Sequence, residues 1–403
     1  MSSEKNEELH ENAKKYYGKE LQCSNNLKTN CCKCSEKPPK NISDAIALLH
    51  EDIVSHYYGC GLVIPNELEG LTCLDLGSGA GHDVYILSKL VGEKGKVYGV
   101  DMTQEQLDIA EKYKDYQAKA FGYTQSNVQF IKGYIENLTE IKDNSIDLIV
   151  SNCVVNLCPN KKNVFKEAYR VLKPGGEMYF SDVYSDRRIP EKLLFDPVLH
   201  GECLSGALYW NDFLSIVKSV GFKSPRLVKD KVINIENKEI EDKIGFAKFW
   251  SGTFRLFKIN EFDNSDGEDY GLSVKYKGTI STCPQVFALD CNHKFKKGKE
   301  IRVCGNTFRI LNQSRFSKHF EFKGNFDVHY GILPNCCIKI PFTSKKSESC
   351  CLKNDNNNYD WNEYDEEEND YVDNQYDYME QYYPNNNDYY SNGNNYYYQG
   401  YYY

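Results

Sequence analysis

The sequence predicts an α/β protein: a Rossmann-like, doubly wound sheet, then a small α+β domain, then a disordered tail. Three observations lead there. Short apolar runs near 71–76, 96–101, 128–133, 146–156 and 177–183 alternate with segments whose apolar residues recur at helical spacing. The first run closes in a glycine-rich turn, Gly77-Ser78-Gly79-Ala80-Gly81, that opens a helix. Composition then changes abruptly at Asn354. The last fifty residues carry twelve acidic side chains and fifteen tyrosines but no Lys or Arg. Such a segment cannot bury enough apolar surface to offset its ordering entropy, so disorder is expected there.

The elements follow in order. Residues 1–22 read as a polar helix or a loose arm. Cys23, Cys31, Cys32 and Cys34 cluster in a loop rich in Asn, Lys and Ser. No C-x-x-C pair with a second pair at zinc-knuckle spacing is present, so ordinary or redox-active loop thiols are favoured over a zinc site. Pro38-Pro39 ends the loop. A helix is predicted over Ser43–His56, with Ser43 as N-cap and Ile46, Leu49 and Ile53 on one face. It stops at Tyr57-Tyr58-Gly59-Cys60-Gly61. There Cys60, taken alone, reads as a small buried hydrophobe in a flexible turn.

Gly77 and Gly79 let the chain turn sharply and let a ligand approach the backbone. The spacing is G-x-G-x-G, and His82 stands where a dinucleotide fingerprint has its third glycine. A nucleoside cofactor without phosphates fits this turn better than a pyrophosphate does, and S-adenosylmethionine is the common one. The second strand ends at Asp101, twenty-four residues after Gly77, where one carboxylate can accept both ribose hydroxyls. The competing role for Asp101, N-cap of the helix Gln104–Phe121, can be filled by Thr103 instead. The third strand, Val128–Gly133, runs on to Ile135 and Glu136, near which an adenine ring would lie. The fourth ends at Asn152 and Cys153. Helix Lys162–Leu172 and the turn Lys173-Pro174-Gly175-Gly176 lead into the fifth strand, Glu177–Val183.

Parallel strands with right-handed crossovers put ligands at the strand carboxyl ends. Cys60, Asp75, Asp101, Glu136 and Cys153 all fall on that edge. An insertion at 189–210, containing His200-Gly201-Glu202-Cys203, is expected to form a lid above it. After helix Asp212–Val220, runs at 226–228 and 232–235 complete the sheet. Phe254–Phe257, Val274–Tyr276 and Ile301–Val303 suggest the small antiparallel domain. Cys283, Cys291 and Cys304 read as packing residues.

Charge and hydropathy exclude several classes. The whole chain has 49 basic and 58 acidic residues, but without the tail the counts are 49 and 46, a net of +3. No basic stripe suggests a nucleic-acid partner. No apolar run reaches the length of a membrane span. Met1–Lys15 is polar and charged, unlike a signal peptide. The expectation is a cytoplasmic protein with its sixteen cysteines reduced.

Several blocks taken together resemble the S-adenosylmethionine-dependent arsenite methyltransferase family. They are Tyr57-Tyr58-Gly59-Cys60-Gly61, Leu74-Asp75-Leu76-Gly77-Ser78-Gly79, Asp101-Met102-Thr103, Ser151-Asn152-Cys153-Val154, and Gly201-Glu202-Cys203 with Gly206-Ala207-Leu208-Tyr209-Trp210. The likeness is close from about Tyr16 to Phe257 and looser to about Phe316. It implies a class I methyltransferase sheet and a family-specific C-terminal domain. It implies S-adenosyl-L-methionine as cofactor, with Tyr57, Asp75, Gly77, Ser78, Gly79, Asp101, Met102, Ile135, Glu136 and Asn152 around it. Cys32, Cys60, Cys153 and Cys203 match the four family cysteines, Cys32 serving in capture and pairing with another cysteine when product is reduced. Its neighbours Cys31 and Cys34 depart from the usual pattern.

The chemistry agrees. Trivalent arsenic is soft and takes thiolate ligands. Three thiolates from Cys60, Cys153 and Cys203 would form a pyramid with the arsenic lone pair free to attack a methyl group. The expected partners are arsenite, methylated arsenicals and a thiol reductant of glutathione or thioredoxin type, with no nucleic acid and no membrane. The vicinal pairs Cys336-Cys337 and Cys350-Cys351 either hand arsenic on or are merely solvated. The expected domains are an N-terminal arm (1–40), the methyltransferase domain (41–235), the C-terminal domain (236–345) and the tail (346–403). Two other functions compete: methylation of a small organic substrate such as a quinone, and thiol-based metalloid sequestration. The first needs no thiol at the fourth strand, and the second needs no intact cofactor turn.

Overall fold

The computed structural model describes residues 3–20, 38–60, 62–333 and 336. The clustered cysteines at 23, 31, 32 and 34, the pair at 350 and 351, and the tail lie outside them. The polar arm is a helix, α1 (Ser3–Lys15), continued by a π-turn at Tyr16–Glu20. It buries only a narrow stripe, Leu9, Ala13 and Tyr16, at the i, i+4, i+7 spacing of one helical face.

The single helix expected over Ser43–His56 is two, α2 (Lys40–Ile46) and α3 (Glu51–Ser55). The break has a local cause. His50 leaves the helical conformation and its ring accepts the Asp52 N–H at 3.1 Å, starting a new helix. Gln117 holds the His50 N–H at 2.9 Å. Ser43 is not a cap; its hydroxyl donates to the Pro38 carbonyl.

The doubly wound unit follows as β1 (Thr72–Leu76), α4 (His82–Val91), β2 (Lys96–Asp101), α5 (Gln104–Lys112), α6 (Lys114–Phe121), β3 (Val128–Lys132), β4 (Ile146–Asn152), α7 (Lys161–Val171) and β5 (Leu172–Ser185). The expected helix 104–121 is interrupted at Tyr113, whose φ of −100° and ψ of 7° end α5. The insertion carries α8 (Pro197–Gly201), then β6 (Leu208–Tyr209) and α9 (Trp210–Val220). Next come β7 (Arg226–Ile233), α10 (Lys238–Ile244) and β8 (Phe249–Phe257). The sheet order is β3-β2-β1-β4-β5-β8-β7, with β6 beside β5. Strands β1 to β5 are parallel; β8 runs antiparallel to β5, and β7, antiparallel to β8, runs in the direction of the first five.

Side-chain alternation places one face of each strand in each of two cores. Leu74, Leu76, Met178 and Phe180 pack with α7 and α9, whereas Cys73 and Tyr179 pack with α2, α3 and α4. The strand at Phe254–Phe257, expected in the small domain, is the end of β8 and belongs to the main sheet. Its residues serve two cores: Phe254 and Leu256 join the α7–α9 side, and Phe257 joins the C-terminal core.

The C-terminal region comprises β9 (Ser273–Tyr276), β10 (Val286–Ala288), β11 (Lys294–Lys296), β12 (Glu300–Arg302), α11 (Gly305–Gln313) and β13 (Phe320–Lys323). The strands form antiparallel sheets β12-β9-β13 and β10-β11. Its core is aromatic, with Tyr276, Phe287, Phe295, Phe316 and Phe320 fully or almost fully buried. A buried ion network joins it to the main sheet. Glu177 of β5 meets Arg315 at 3.1 Å and Arg255 of β8 at 3.7 Å.

Candidate functional site

At the carboxyl edge of β1–β4 the chain forms an open cleft of about 990 Å³, counting the space that opens to solvent. The glycine turn forms its floor. Gly77 has φ +75° and a Cβ there would sit 2.4 Å from Val154, so only glycine fits. The Gly77 and Ser78 N–H groups both donate to the Val100 carbonyl, pinning the turn to β2. A Cβ on Gly79 would meet only Gln106 at 3.8 Å, which leaves the backbone open to a ligand.

Asp101 ends β2 as expected. One carboxylate oxygen accepts the Gly79 N–H at 2.9 Å and the other the Thr103 N–H at 2.8 Å. Each oxygen keeps lone-pair capacity for a further donor. Burial raises the Asp101 carboxyl, and the N–H bonds pull against that shift. Asp75 is buried and pushed well above the usual carboxylate range, first by burial, then by Asp83 and Asp101. Among the described residues no cationic side chain pairs with it. The Ser78 hydroxyl is likewise buried without a hydrogen-bond partner. An orphaned hydroxyl and an uncompensated acid on one floor suit a ligand carrying hydroxyls and a positive charge.

Asn152 organises the wall. Its side-chain oxygen accepts the Cys60 N–H at 3.0 Å, and its amide donates to the Tyr57 hydroxyl at 2.9 Å. A Cβ on Gly59 would lie 2.5 Å from that amide, so glycine is required for the segment to close on β4. The Tyr57 ring lies over His82, centroids 3.9 Å apart, and His82 Nδ1 is 2.8 Å from Asp83.

This tether carries Cys60 onto Cys153. The two are joined in a disulfide, which corrects the expectation that these thiols are reduced. Cys203 reaches the same point from the insertion, its thiol donating to the Cys153 carbonyl at 3.2 Å. Cys153 and Cys203 have φ of +56° and +61°, a left-handed conformation that is costly for residues other than glycine and concentrates at functional sites. Close by, Cys158 lines the cleft, and burial pushes its thiol well up.

Helix α1 covers the opening. His10 Nε2 lies 2.9 Å from Glu136, and the His10 ring stacks on Tyr134 at 4.5 Å. Burial opposes charge on Glu136, but the His10 contacts outweigh it and hold the carboxyl below its ordinary value. After the helix, Tyr16 donates to Glu202 at 2.6 Å and Tyr17 to the Gly201 carbonyl at 2.7 Å. The arm and the insertion therefore close over the edge together.

Tyr57, Asp75, Gly77, Ser78, Gly79, Asp101, Met102, Ile135, Glu136 and Asn152 all line this cleft. Cys153 lines it too, with Cys60 and Cys203 directly behind. Cys32 lies outside the described residues. Sequence reasoning missed His10, Tyr17, His56, Tyr58, His82, Asp83 and Tyr134, which line it as well. The buried stripe of α1 was the signal for the first two. His82 and Asp83 begin the helix that the glycine turn opens, so their place beside the turn was readable from the sequence.

Comparison with known proteins agrees with this geometry. Residues 67–221 match a methyltransferase domain family, and residues 270–346 match the arsenite methyltransferase C-terminal domain. The arsenite methyltransferase of Aquipseudomonas alcaligenes is 47% identical over 349 residues, covering 85% of this chain and 100% of its own. That of Homo sapiens is 47% identical over 323 residues, covering 79% and 85%. A crystal structure of an arsenic (III) S-adenosylmethionine methyltransferase from Chlamydomonas reinhardtii superposes with a TM-score of 0.71 at 46% identity. It covers 74% of this chain and 100% of that one.

Proposed function

The chain belongs to the arsenite methyltransferase family, and we propose that Cys60, Cys153 and Cys203 are the thiols that hold its arsenic. It is an S-adenosylmethionine-dependent methyltransferase acting on arsenite. The single observation that carries the assignment is the meeting of these three cysteines at the end of β4 beside the cofactor cleft.

S-adenosylmethionine supplies a sulfonium-bound, electrophilic methyl group. In our reading Asp101 accepts the ribose hydroxyls and the Ser78 hydroxyl and Asp75 answer polar groups of the same ligand. Glu136 with Ile135 borders the adenine, and Met102 lies beside Asp101. Asn152 and Tyr57 fix the segment that brings Cys60 to the reacting edge. Each thiol displaces one hydroxyl of arsenite: an As–S bond forms, an As–O bond breaks, and the thiol proton leaves in water. Arsenic then has no proton to remove and a lone pair to donate, so no general base is required. What the protein supplies is position.

Giving its lone pair to carbon takes arsenic from the trivalent to the pentavalent state. Two electrons must return it, and two thiols becoming a disulfide supply two. The Cys60–Cys153 disulfide is the oxidised form of such a pair, and a thiol reductant of glutathione or thioredoxin type reopens it for arsenic. Cys32 serves in capture and exchange. No helix among the described residues is long and apolar enough to cross a membrane, and we place the protein in the cytoplasm, where such reductants are held reduced. The organic-substrate and sequestration readings are not favoured: the relatives named above methylate arsenite and the cofactor cleft is intact.

The test is product speciation for four Cys→Ser variants, with arsenite and with methylarsenite. Cys153→Ser and Cys203→Ser abolish both reactions, and Cys60→Ser nearly does. Cys32→Ser spares methylation of methylarsenite. Cofactor affinity survives in all four. Wild-type rates for both Cys153→Ser and Cys203→Ser would dismiss the thiol site.

A further inference from the structure

Of the three cysteines expected to pack, Cys291 is exposed and Cys283 half-buried, while Cys304 is buried as expected but has polar groups beside its sulfur. Cys304 is the N-cap residue of α11, and its sulfur stands 3.2 Å from the Thr307 hydroxyl in the first turn. Thr307 in turn lies 3.4 Å from His293 Nε2. Cys336 comes from 32 positions later in the chain, and its sulfur is 3.9 Å from the same nitrogen. His293 Nδ1 is held at 2.8 and 2.9 Å by the two oxygens of Asp290. Asp290 is itself fixed by the N–H groups of Asn292 and His293, both at 2.8 Å, and by Arg226 at 3.5 Å. An ionised carboxylate only accepts, so Nδ1 carries a proton, and in the neutral ring Nε2 is an acceptor facing Cys336 and the Thr307 hydroxyl.

Arg226 is the unusual member. It is only 6% exposed, and two of its guanidinium nitrogens, Nε and one terminal nitrogen, have no hydrogen-bond partner. Its charge acts on Asp290 and on both cysteines. A buried cation with unsatisfied donors beside two thiols is a costly arrangement unless negative charge resides there. The Cys304 thiol is well suited to supply it. The proton offered by Cys336 pulls Cys304 down to about 4, and Arg226 and the Thr307 hydroxyl and N–H act the same way against burial. Cys336 moves up correspondingly, because it is the donor of the pair. A thiolate at a helix N-terminus beside a guanidinium is a reactive sulfur, unlike a packed one.

We infer that Cys304 and Cys336 form a second thiol site, in the C-terminal region, that binds trivalent arsenicals with at least two exchangeable hydroxyls. No group of three or more His, Cys, Asp or Glu side chains among the described residues is arranged to hold a metal ion. A tetrahedral zinc centre is therefore not what this cluster offers. Two sulfurs suit a thiophile that accepts two ligands and keeps a third substituent. Two As–S bonds form as two As–O bonds break. The hydroxyls leave as two waters, one taking the Cys336 proton and the other a proton from solvent, since Cys304 enters as the thiolate. Cys336 is half-buried and gives the exchange its entry. Arsenite and monomethylarsonous acid qualify as ligands. A dimethylated arsenical, with one hydroxyl, does not bridge the pair.

The proposal is tested on the full-length, reduced chain carrying Cys153→Ser and Cys203→Ser, so that its outcome is separate from that of the site at β4. Arsenite is added, unbound arsenic is removed by gel filtration, and bound arsenic is counted by mass spectrometry. Adding Cys336→Ser should remove one equivalent, Cys304→Ser should remove the same one, and both together no more than either. X-ray absorption should show the matching loss of As–S scattering, and a dimethylated probe should load all variants equally. Cys336 is partly exposed, so its serine variant decides even if Cys304→Ser does not fold. Unchanged loading in Cys336→Ser overturns the site. Formation of a Cys304–Cys336 disulfide with no arsenic uptake overturns it too, and marks the pair as purely redox.

Discussion

At the residue scale, the sequence exposes those groups whose position follows from a strand end. Asp101, Glu136, Asn152 and Cys153 are readable because a parallel sheet puts its carboxyl ends on one edge. Residues that act through distant partners are not readable that way. Nothing local says that the Asn152 amide will bind Tyr57, 95 positions earlier in the chain, or that His293 will face Cys336. Cys304 is buried as a packing residue would be, but the Arg226, His293 and Cys336 groups around it come from distant positions that its own stretch of sequence does not announce. Asp101 gives the sharpest test at this scale. Both of its oxygens are already positioned by backbone N–H groups, so Asp101→Ala should weaken S-adenosylmethionine binding by ~1.5–3 kcal/mol, the worth of charge-assisted bonds. Calorimetric titration measures it, and wild-type affinity would remove Asp101 from the cofactor site.

At the element scale, the alternation of strands and helices was legible throughout, and the breaks within helices were not. His50 and Tyr113 split helices that periodicity joins, since a side-chain cap or a single non-helical dihedral leaves the apolar pattern intact. The Phe254–Phe257 end of β8 was assigned to the wrong sheet because it is buried on both faces, which fits either core. Beyond the backbone ladder that joins β8 to β5, the buried pairing of Glu177 with Arg255 and Arg315 ties the region after β8 to the main sheet. Glu177→Gln would leave two buried guanidinium groups without their carboxylate. A loss of about 3–5 kcal/mol is expected, read by urea unfolding. An unchanged midpoint would show that aromatic packing alone holds the elements together.

At the scale of the whole molecule, the acidic tail and the folded body have opposite compositions. The body carries a small positive excess and the tail twelve acids without a base. Truncation after Lys353 should leave turnover and cofactor affinity unchanged, since the tail lacks the aliphatic residues a packed core needs. A large fall in turnover would assign it a part in the site or in folding. The covalent link between Cys60 and Cys153 works at this scale also. It closes a loop of 93 residues containing β1, β2, β3 and the glycine turn. In the chain-entropy account, closing so long a loop stabilises the folded state by about 4–5 kcal/mol. Readiness and durability are then opposed properties of one chain. The form able to accept arsenic is the one that melts earlier, and a resting, oxidised population survives heat, storage and proteolysis that its working counterpart does not. Differential scanning calorimetry with and without reductant should separate the two, with Cys60→Ser indifferent to the reductant and melting like the reduced form.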